Sequence, residues 1–439
     1  MKTYLTKKNL KNLKSNRSKR FKDFLFQNIS VKQTILKNTF WLLLAEGIHR
    51  GLMFFLTILI ARYLGSEGFG RFSFIFAFVS LFAIISDAGL STLTTREIAK
   101  NKKLVRKFIS NIAILKVLLG SVTFGLVILI GHFIGETVES RWLVYLFGIY
   151  IVINSFNEFF IGVFRAFEMM QYETISKIIQ GLALLTLGAS VIILNYSVYW
   201  IVISYIIASL ITLVITLILV NKKITTFWAK IDLGFWKNLL RMSWPFAGAG
   251  LLSLINFNFD QVLLGVYNYM IELGNYVASY KIINLLILII SFFLISLFPV
   301  FSRIRNKNKL IDIIKKVYWL LIPFGVIVVF LVTLFSRQIT MLIFGSGYSL
   351  SPVFLRILVW SFFLILLRLP AATVLSARGF QNKVFLILIF SAISNITLNV
   401  IFIPLYGAFV APITTIVSES MNLMLTNFTM LKHFKRRDI

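Results

Sequence analysis

The chain of 439 residues is 58% apolar and only 14% charged. A water-soluble domain carries about 45–50% apolar and about 25% charged residues, so this composition excludes a soluble enzyme and indicates a polytopic membrane protein. The formal net charge is +29, and the chain has three isolated His and no Cys. These counts exclude disulfide frameworks, thiolate metal sites and His-rich metal cages.

The first 37 residues form a basic tail, with eleven Lys and Arg against a single acid, Asp23. The tail has no uninterrupted apolar stretch of about 7–15 residues that would serve as a signal-peptide core, so we expect it to stay in the cytoplasm. A disordered chain that sets topology alone is expected. Contact with anionic lipid headgroups or with a cytoplasmic partner protein is the alternative.

Beyond the tail, apolar stretches alternate with short polar joints. Each stretch is about 20 residues long, enough to cross a hydrocarbon core of roughly 30 Å as a helix. Backbone in lipid must satisfy its own hydrogen bonds, and the stretches lack the alternation of barrel strands, so helices are predicted. The expected fold class is an all-α polytopic membrane protein with about 12 transmembrane helices. The predicted spans cover residues 40–62, 72–91, 112–131, 143–164, 178–194, 198–220, 244–266, 282–300, 317–336, 353–375, 384–403 and 408–430.

Charge in the joints predicts the orientation of the chain. Lys and Arg concentrate in the two tails and in every second joint, 36 in total, whereas the intervening joints contain only Arg71, Arg141 and Arg337. Positive residues favour the cytoplasmic side, so both termini are expected there. The excess positive charge therefore reflects membrane topology, and no nucleic-acid partner is expected.

A short internal repeat divides the chain into two halves of six spans, although chance similarity is the alternative. The joint after the first span reads Glu67-x-x-Gly70-x-Phe72, and the joint after the seventh reads Glu272-x-Gly274-x-Tyr276. An even number of spans per half predicts two lobes related by a pseudo-two-fold axis along the membrane normal. The predicted organisation is a basic cytoplasmic tail (1–37), an N-terminal lobe (38–220), a cytoplasmic linker with an amphipathic helix (221–243), a C-terminal lobe (244–430) and a second basic tail (431–439).

Five ionisable residues lie well inside predicted spans: Arg50, Glu158, Asp260, Arg368 and Glu419. Each would cost about 2.5–3.5 kcal/mol facing lipid at the bilayer centre. Five such groups would cost roughly 15 kcal/mol, which matches or exceeds a typical net stability of about 5–15 kcal/mol. We therefore expect each to face a partner or a water-filled cavity.

The cations among these residues are candidate substrate contacts, and the acids are candidate coupling groups. A purely structural role explains Arg50 and Arg368 less well than the other cations. For Arg50, the alternative to a substrate contact is a local ion pair with Glu46. Lys116, Lys281 and Arg356 lie nearer span ends, where snorkelling is the alternative. The predicted substrate contacts are Arg50, Arg368, Lys281 and Arg356, and the predicted ion-coupling acids are Glu46, Glu158, Asp260 and Glu419.

Pro370 lies deep in the tenth predicted span, and all seven prolines fall in the second half of the chain. Proline removes one helix hydrogen bond and clashes with a preceding carbonyl. Pro370 is therefore the predicted hinge, with a static kink as the alternative.

The sequence lacks a P-loop, a Gly-rich dinucleotide turn, a Ser-His-Asp elbow and a metal-ligand cluster. We therefore expect a protein that is not an enzyme and needs no cofactor. Coupling to a proton or sodium gradient is one expectation for the energy source, and consumption of the exported substrate is the other.

Several runs along residues 35–430 follow the pattern of a known family. Residues 61–70 read Ala-Arg-Tyr-Leu-Gly-Ser-Glu-Gly-Phe-Gly, and similar runs lie at 87–90, 95–99, 164–168, 243–246, 260–262, 276–284, 297–299 and 395–407. In order and spacing, these runs resemble the polysaccharide-transporter branch, the Wzx-type flippases, of the multidrug/oligosaccharidyl-lipid/polysaccharide exporter superfamily.

The resemblance implies movement of an oligosaccharide on a polyprenyl phosphate or pyrophosphate from the cytoplasmic to the outer leaflet, by alternating access of two lobes. It implies structural or gating roles for the family-motif residues Arg62, Asp87, Arg96 and Glu97. The implied setting is the plasma membrane of a prokaryote, with lipid-linked oligosaccharide, membrane lipids and glycan-assembly enzymes as partners. A monomer is expected, because one chain already supplies two lobes.

Two other functions stay open from the sequence. A proton- or sodium-coupled antiporter of drugs or organic cations, from a sister branch, would use the four predicted coupling acids. A non-transporting scaffold or membrane polymerase is disfavoured, because polar faces occur on helices of both halves.

Overall fold

The computed structural model describes residues 28, 31–134, 138–225, 231–304 and 306–435. Most of the two predicted basic tails, and residues 226–230 of the predicted linker, lie outside the described residues. The described residues form fourteen α-helices, a 3-10 helix at Lys102–Leu104 and no strand. The helices are α1 (Val31–Leu81), α2 (Ala83–Asp87), α3 (Leu90–Lys100), α4 (Val105–Ile134), α5 (Val138–Ala166), α6 (Met170–Ile193), α7 (Val198–Lys223), α8 (Leu233–Val266), α9 (Met270–Arg303), α10 (Lys307–Leu334), α11 (Ser336–Phe344), α12 (Ser351–Ala377), α13 (Gln381–Tyr406) and α14 (Val410–Lys435).

The predicted spans fall on helical residues, although the second, 72–91, runs from the end of α1 through α2 into α3. Within the described ranges, nine helical stretches are long and apolar enough to cross a membrane, and the bent α8 makes ten. The stretch Gln33–Lys100 counts once among them, although it covers the first two predicted spans. The twelfth predicted span is α14, whose polar residues keep it outside that count.

Gly65 separates the first two predicted spans inside α1. Its backbone is non-helical, with φ 68° and ψ 178°. A residue with a Cβ is strained at this φ, whereas glycine adopts it readily. Glycine at position 65 therefore allows the chain to pass from one span into the next without a longer joint.

The described residues group into two compact units. Unit 1 combines residues up to Leu56 with Ala83–Leu126 and Gly148–Gly248. Unit 2 combines Thr57–Phe82, Val127–Phe147 and the residues from Ala249 onward. Because unit 2 includes two segments of the predicted N-terminal lobe, the lobe boundaries 38–220 and 244–430 stay a prediction.

The core of unit 1 joins α3, α4 and α5 to the start of α8. Leu93, Ile112, Phe159 and Phe164 are fully buried there. Leu239, from the segment predicted as the linker helix, is buried in the same cluster. The residues of the predicted linker helix thus form the first turns of α8 and are anchored to α3–α5 by an apolar side chain.

Asp232 fixes the start of α8. Its Oδ1 accepts a hydrogen bond from the N–H of Phe235 at 3.0 Å, as a helix N-cap does. Lys107 Nζ lies 2.9 Å from Asp232 Oδ2. Asn111 on α4 adds two contacts, accepting from the N–H of Asp232 at 2.8 Å and from Trp236 Nε1 at 3.2 Å.

In unit 2, α12 is the central helix. It packs against α9, α14 and α10, and one of its faces is almost fully buried. Helix α10 packs mainly on α12, and many of its large apolar side chains are exposed. Exposed apolar side chains on a membrane span face lipid, so α10 lies at the periphery of unit 2.

Candidate functional site

Unit 1 contains five linked charged side chains on α1, α5 and α6, which we name the charge cluster: Glu46, Arg50, Arg165, Glu173 and Lys177. Lys177 Nζ lies 2.5 Å from Glu46 Oε1 and 3.1 Å from Glu173 Oε1. Arg165 donates from Nε and Nη2 to both carboxylate oxygens of Glu173, at 2.9 and 2.6 Å. Arg50 Nε donates to Glu46 Oε2 at 2.8 Å, the local pair that the i, i+4 spacing predicts.

Burial differs sharply across the charge cluster. The side chain of Glu173 is fully buried, and that of Lys177 is 11% exposed. The side chain of Arg50 is 57% exposed, and that of Arg165 is 37% exposed. The cluster therefore has a rigid buried centre at Glu173 and Lys177 and presents two guanidinium groups outward.

Hydrogen bonds from α6 to α1 hold the cluster in place. Thr174 Oγ1 donates to the carbonyl oxygen of Trp41 at 2.8 Å. His49 Nδ1 lies 3.0 Å from the carbonyl oxygen of Lys177. Gly181 allows this close packing, since a Cβ at position 181 would lie 2.9 Å from Leu52 Cδ1. Glu158, the predicted coupling acid on α5, is exposed.

The family-motif residue Asp87 forms a second ion pair in unit 1. Lys116 Nζ lies 2.8 Å from Asp87 Oδ1, and Ser91 Oγ donates to the same oxygen. The side chain of Lys116 is fully buried. Lys116 therefore does not snorkel to the membrane surface, and Asp87 has a structural partner that sequence spacing did not identify.

The other motif residues also make structural contacts. Arg96 donates to Glu97 at 2.7 Å, and its guanidinium lies 5.0 Å from the ring centroid of Phe246. In unit 2, Arg62 Nε donates to the carbonyl oxygen of Ile343 at 2.9 Å, and Nη2 donates to that of Leu342. Arg62 thereby caps the last carbonyls of α11. A gating role for these residues stays a prediction.

Asp260 lies at the centre of a polar network in unit 2, the Asp260 network. Its Oδ2 accepts from Tyr276 Oη at 3.0 Å and from Thr415 Oγ1 at 3.5 Å, and its Oδ1 accepts from Asn399 Nδ2 at 2.6 Å. Thr414 Oγ1 donates to Asn399 Oδ1 at 2.5 Å, which orients the amide. The described residues provide Asp260 with neutral hydrogen-bond donors and no cationic side chain.

Arg368 and Glu419 are paired with each other in unit 2. Arg368 Nε lies 3.1 Å from Glu419 Oε2, and the two side chains are only 11% and 16% exposed. Pro370 lies two residues further along α12, which continues as helix across it from Ser351 to Ala377. The hinge role of Pro370 stays a prediction.

The family of this chain is decided by a sequence comparison. The sequence model of the family described as "Polysaccharide biosynthesis protein" matches residues 35–305. The chain belongs to this family. The predicted superfamily, that of multidrug, oligosaccharidyl-lipid and polysaccharide exporters, is thereby confirmed, and the chain is a multi-pass membrane transporter of that superfamily.

Relatives and solved structures agree with this assignment. The chain is 22% identical over 421 residues to an uncharacterized membrane protein of Methanocaldococcus jannaschii. The matched region covers 88% of this chain and 82% of that protein. The inward-facing conformation of a multidrug-resistance MATE-family transporter superposes with a TM-score of 0.72 and 15% identity, covering 88% of this chain and 94% of that one. The inward closed conformation of the lipid II flippase MurJ superposes with a TM-score of 0.71 and 16% identity, covering 89% of this chain and 88% of that one. These likenesses confirm the all-α transporter fold.

Within this member of the polysaccharide biosynthesis family, the four predicted substrate cations belong to two different units. Arg50 belongs to unit 1, whereas Arg368, Lys281 and Arg356 belong to unit 2. Arg356 is exposed, and its Nε donates to Ser336 Oγ at 2.7 Å. Their common role as cavity phosphate contacts stays a prediction.

Sequence reasoning missed the centre of the charge cluster. It did not single out Arg165, Glu173 or Lys177. The signal was present, since Glu173 and Lys177 are spaced i, i+4 on α6. Only the packing of α6 on α1 shows that Lys177 reaches Glu46.

Proposed function

We propose that this transporter moves a polyprenyl-(pyro)phosphate-linked oligosaccharide from the cytoplasmic to the outer leaflet by alternating access, for the synthesis of cell-surface polysaccharide. The observation that carries the proposal is the exposure of Arg50, a cation in the middle of a predicted membrane span. The family description, polysaccharide biosynthesis, supports the same substrate class. Transport without covalent chemistry is part of this proposal.

Beyond its pair with Glu46, the exposed part of Arg50 requires water or a second anion. Its side chain is 57% exposed, and a charge facing lipid at the bilayer centre costs about 2.5–3.5 kcal/mol. Arg50 therefore faces a hydrated space. Only Nε is used by Glu46, so within the described residues the two terminal nitrogens remain available to a phosphate oxygen pair.

The charge cluster explains how Arg50 is held ready for an anion. Glu46 accepts from both Arg50 and Lys177, and Lys177 is tied to the buried Glu173. A phosphate that takes Arg50 from Glu46 leaves that carboxylate paired with Lys177, so binding exposes no unpaired charge. A phosphate group crossing hydrocarbon unaided would lose its hydration without compensation.

The orientation and coupling proposed here follow the charge count and the Asp260 network. We place both termini in the cytoplasm and the protein in the plasma membrane of a prokaryote. Asp260 is the coupling acid that we favour, because neutral oxygen and nitrogen groups surround it and no cation competes for it within the described part of unit 2. Either a proton or a sodium ion fits this carboxylate.

Antiport of organic cations is the second candidate, and the Asp260 network favours it. A partly buried carboxylate with neutral partners suits an exchange of coupling ion against a cationic substrate. The fold is shared with a multidrug-resistance MATE-family transporter as well as with the MurJ flippase. The fold therefore does not decide between the two substrates.

Reconstitution into vesicles tests the two candidates. A fluorescent polyprenyl-pyrophosphate-linked sugar is added, and its transfer between leaflets is followed for wild type and for Arg50→Gln. Loss of one charge-assisted phosphate contact is expected to slow transfer about tenfold or more. The matched control is Arg71→Gln, which also pairs i, i+4 with a glutamate, at 2.7 Å and 52% exposure, but lies in a joint.

The outcomes separate function from site. If Arg50→Gln slows transfer and Arg71→Gln leaves it unchanged, the result supports both the flippase function and Arg50 as a substrate contact. Transfer that survives Arg50→Gln keeps the flippase and removes Arg50 from the site. Absence of transfer together with proton- or sodium-driven uptake of a cationic dye supports the antiporter.

A further inference from the structure

A groove of about 400 Å³ lies between α10 and α12 in unit 2. Its walls are almost entirely apolar and include Val326, Phe330 and Leu334 from α10 and Trp360 and Phe363 from α12. Phe330 is 63% exposed and Trp360 is 52% exposed. Because both helices show exposed apolar side chains here, the groove opens toward the lipid.

One end of the groove is cationic. Arg356 precedes Trp360 by four residues, so both lie on the same face of α12. Arg356 Nε donates to Ser336 Oγ, which places its guanidinium beside the first turn of α11. The next residue, Arg337, is exposed, and neither arginine pairs with a carboxylate in the described ranges. These two guanidinium groups are therefore not neutralised by the protein.

The position of this cationic end is informative. Arg337 lies in a joint that the charge count predicts to be external. All the predicted external joints together contain only three Lys or Arg. Cytoplasmic topology signals therefore do not explain it. Phe335 at the N-cap of α11 supplies no side-chain hydrogen bond to the first turn, and a helix N-terminus favours a nearby anion.

We propose that this groove binds an anionic phospholipid of the outer leaflet, with its phosphate at Arg337 and Arg356 and one hydrocarbon chain between α10 and α12. The charge of the groove's end is complementary to a phosphate, and its apolar walls are complementary to a hydrocarbon chain. A phospholipid is favoured over the transported lipid because α10 is peripheral and open to the bilayer. The proposal does not depend on the transported substrate.

Quenching of Trp360 fluorescence by brominated lipids tests this site. The difference in quenching between wild type and Trp360→Phe isolates the signal of Trp360 in vesicles of phosphatidylcholine. Brominated phosphatidylglycerol is expected to quench it at a mole fraction on the order of tenfold lower than brominated phosphatidylcholine. Arg337→Gln with Arg356→Gln should abolish this preference, and Arg71→Gln, at the same predicted membrane end, should retain it.

Further variants and competing ligands in the quenching assay identify the molecule that binds in the groove. Val326→Phe enlarges an exposed wall residue and is expected to reduce quenching by both lipids. Equal quenching by the two lipids in wild type would overturn the proposal. Reversal by inorganic phosphate or by an equimolar polyprenyl phosphate would overturn the assignment to phospholipid. The single variant Arg337→Gln, on an exposed position, repeats the test should the double variant fold poorly.

Discussion

Gly70 and Gly274 lie so close together that neither position has room for a side chain. A Cβ built on Gly70 would lie 1.9 Å from the carbonyl oxygen of Met270, and one built on Gly274 would lie 1.9 Å from that of Ser66. Both glycines occupy equivalent places in the internal repeat. The backbones of α1 and α9 therefore touch within unit 2, in the way that small residues permit between membrane helices.

Substitution of these glycines should separate the two helices. Gly70→Ala or Gly274→Ala forces the backbone apart, and overpacking of this kind costs about 1–3 kcal/mol. Because the chain has no Cys, spin labels on Glu67→Cys and Ile271→Cys report the distance directly. We expect the distance distribution to broaden and lengthen in either variant.

Gly51→Ala is the control for that measurement. Gly51 is also a helical glycine of α1, but nothing lies within 4 Å of a Cβ built there. Its distance distribution should match wild type. An unchanged distribution in Gly70→Ala would show that the contact does not hold these helices together.

The buried pair of Lys116 and Asp87 should respond asymmetrically to substitution. Asp87→Asn leaves the fully buried ammonium group of Lys116 without a counterion, and such a loss costs about 3–5 kcal/mol. The cost at this site is expected near the lower end because Asp87 is 24% exposed. Lys116→Met removes the buried charge and should therefore lower the melting temperature in detergent by less than Asp87→Asn does.

The double variant completes this test. Lys116→Met with Asp87→Asn should be more stable than Asp87→Asn alone, because no unpaired ammonium remains. If Lys116→Met proves as damaging as Asp87→Asn, the packing of the lysine stem rather than its charge stabilises unit 1.

Asp260→Asn should uncouple transport from an ion gradient. The amide keeps the size of the side chain and a hydrogen bond with Tyr276, but it takes up neither a proton nor a sodium ion. Transfer of substrate in vesicles with an imposed proton or sodium gradient should lose its gradient dependence. Asp312→Asn, at an exposed acid of α10, should retain it. Persistent gradient dependence in Asp260→Asn would assign coupling to another residue.

The start of α8 should loosen in acid. A hydrogen bond from Lys107, followed by one from the N–H of Phe235, lowers the pKa of Asp232 below its usual value. A lowered folded-state pKa means that the stabilisation is present above the unfolded pKa, about 3.9, and is lost as the pH falls through the folded value.

Melting curves against pH check this prediction. Asp232→Asn should melt slightly below wild type at neutral pH; the difference should begin to shrink below about pH 4 and vanish below the lowered folded-state pKa of Asp232. The effect is small because the carboxylate is exposed to solvent. A difference that persists unchanged into acid would show that Asp232 acts through packing and not through its charge.

The sequence alone determined the class of this protein. Span length must match the hydrocarbon core and joint charge must follow the positive-inside tendency, so composition was sufficient for an all-α polytopic protein. Local spacing also predicted the pair of Glu46 and Arg50, because residues four apart on a helix are neighbours.

Tertiary structure decided the partners of the buried charges. Lys116 and Asp87 are 29 residues apart, and Thr415 and Asp260 are 155 apart. Helix periodicity shows which face of a helix is polar, but it does not show which other helix covers that face. Since membrane helices associate through close packing and hydrogen bonds rather than through apolar burial, the pattern of hydrophobicity holds little information about those neighbours. The charge cluster, the Asp260 network and the groove between α10 and α12 therefore became visible only when the helices were packed.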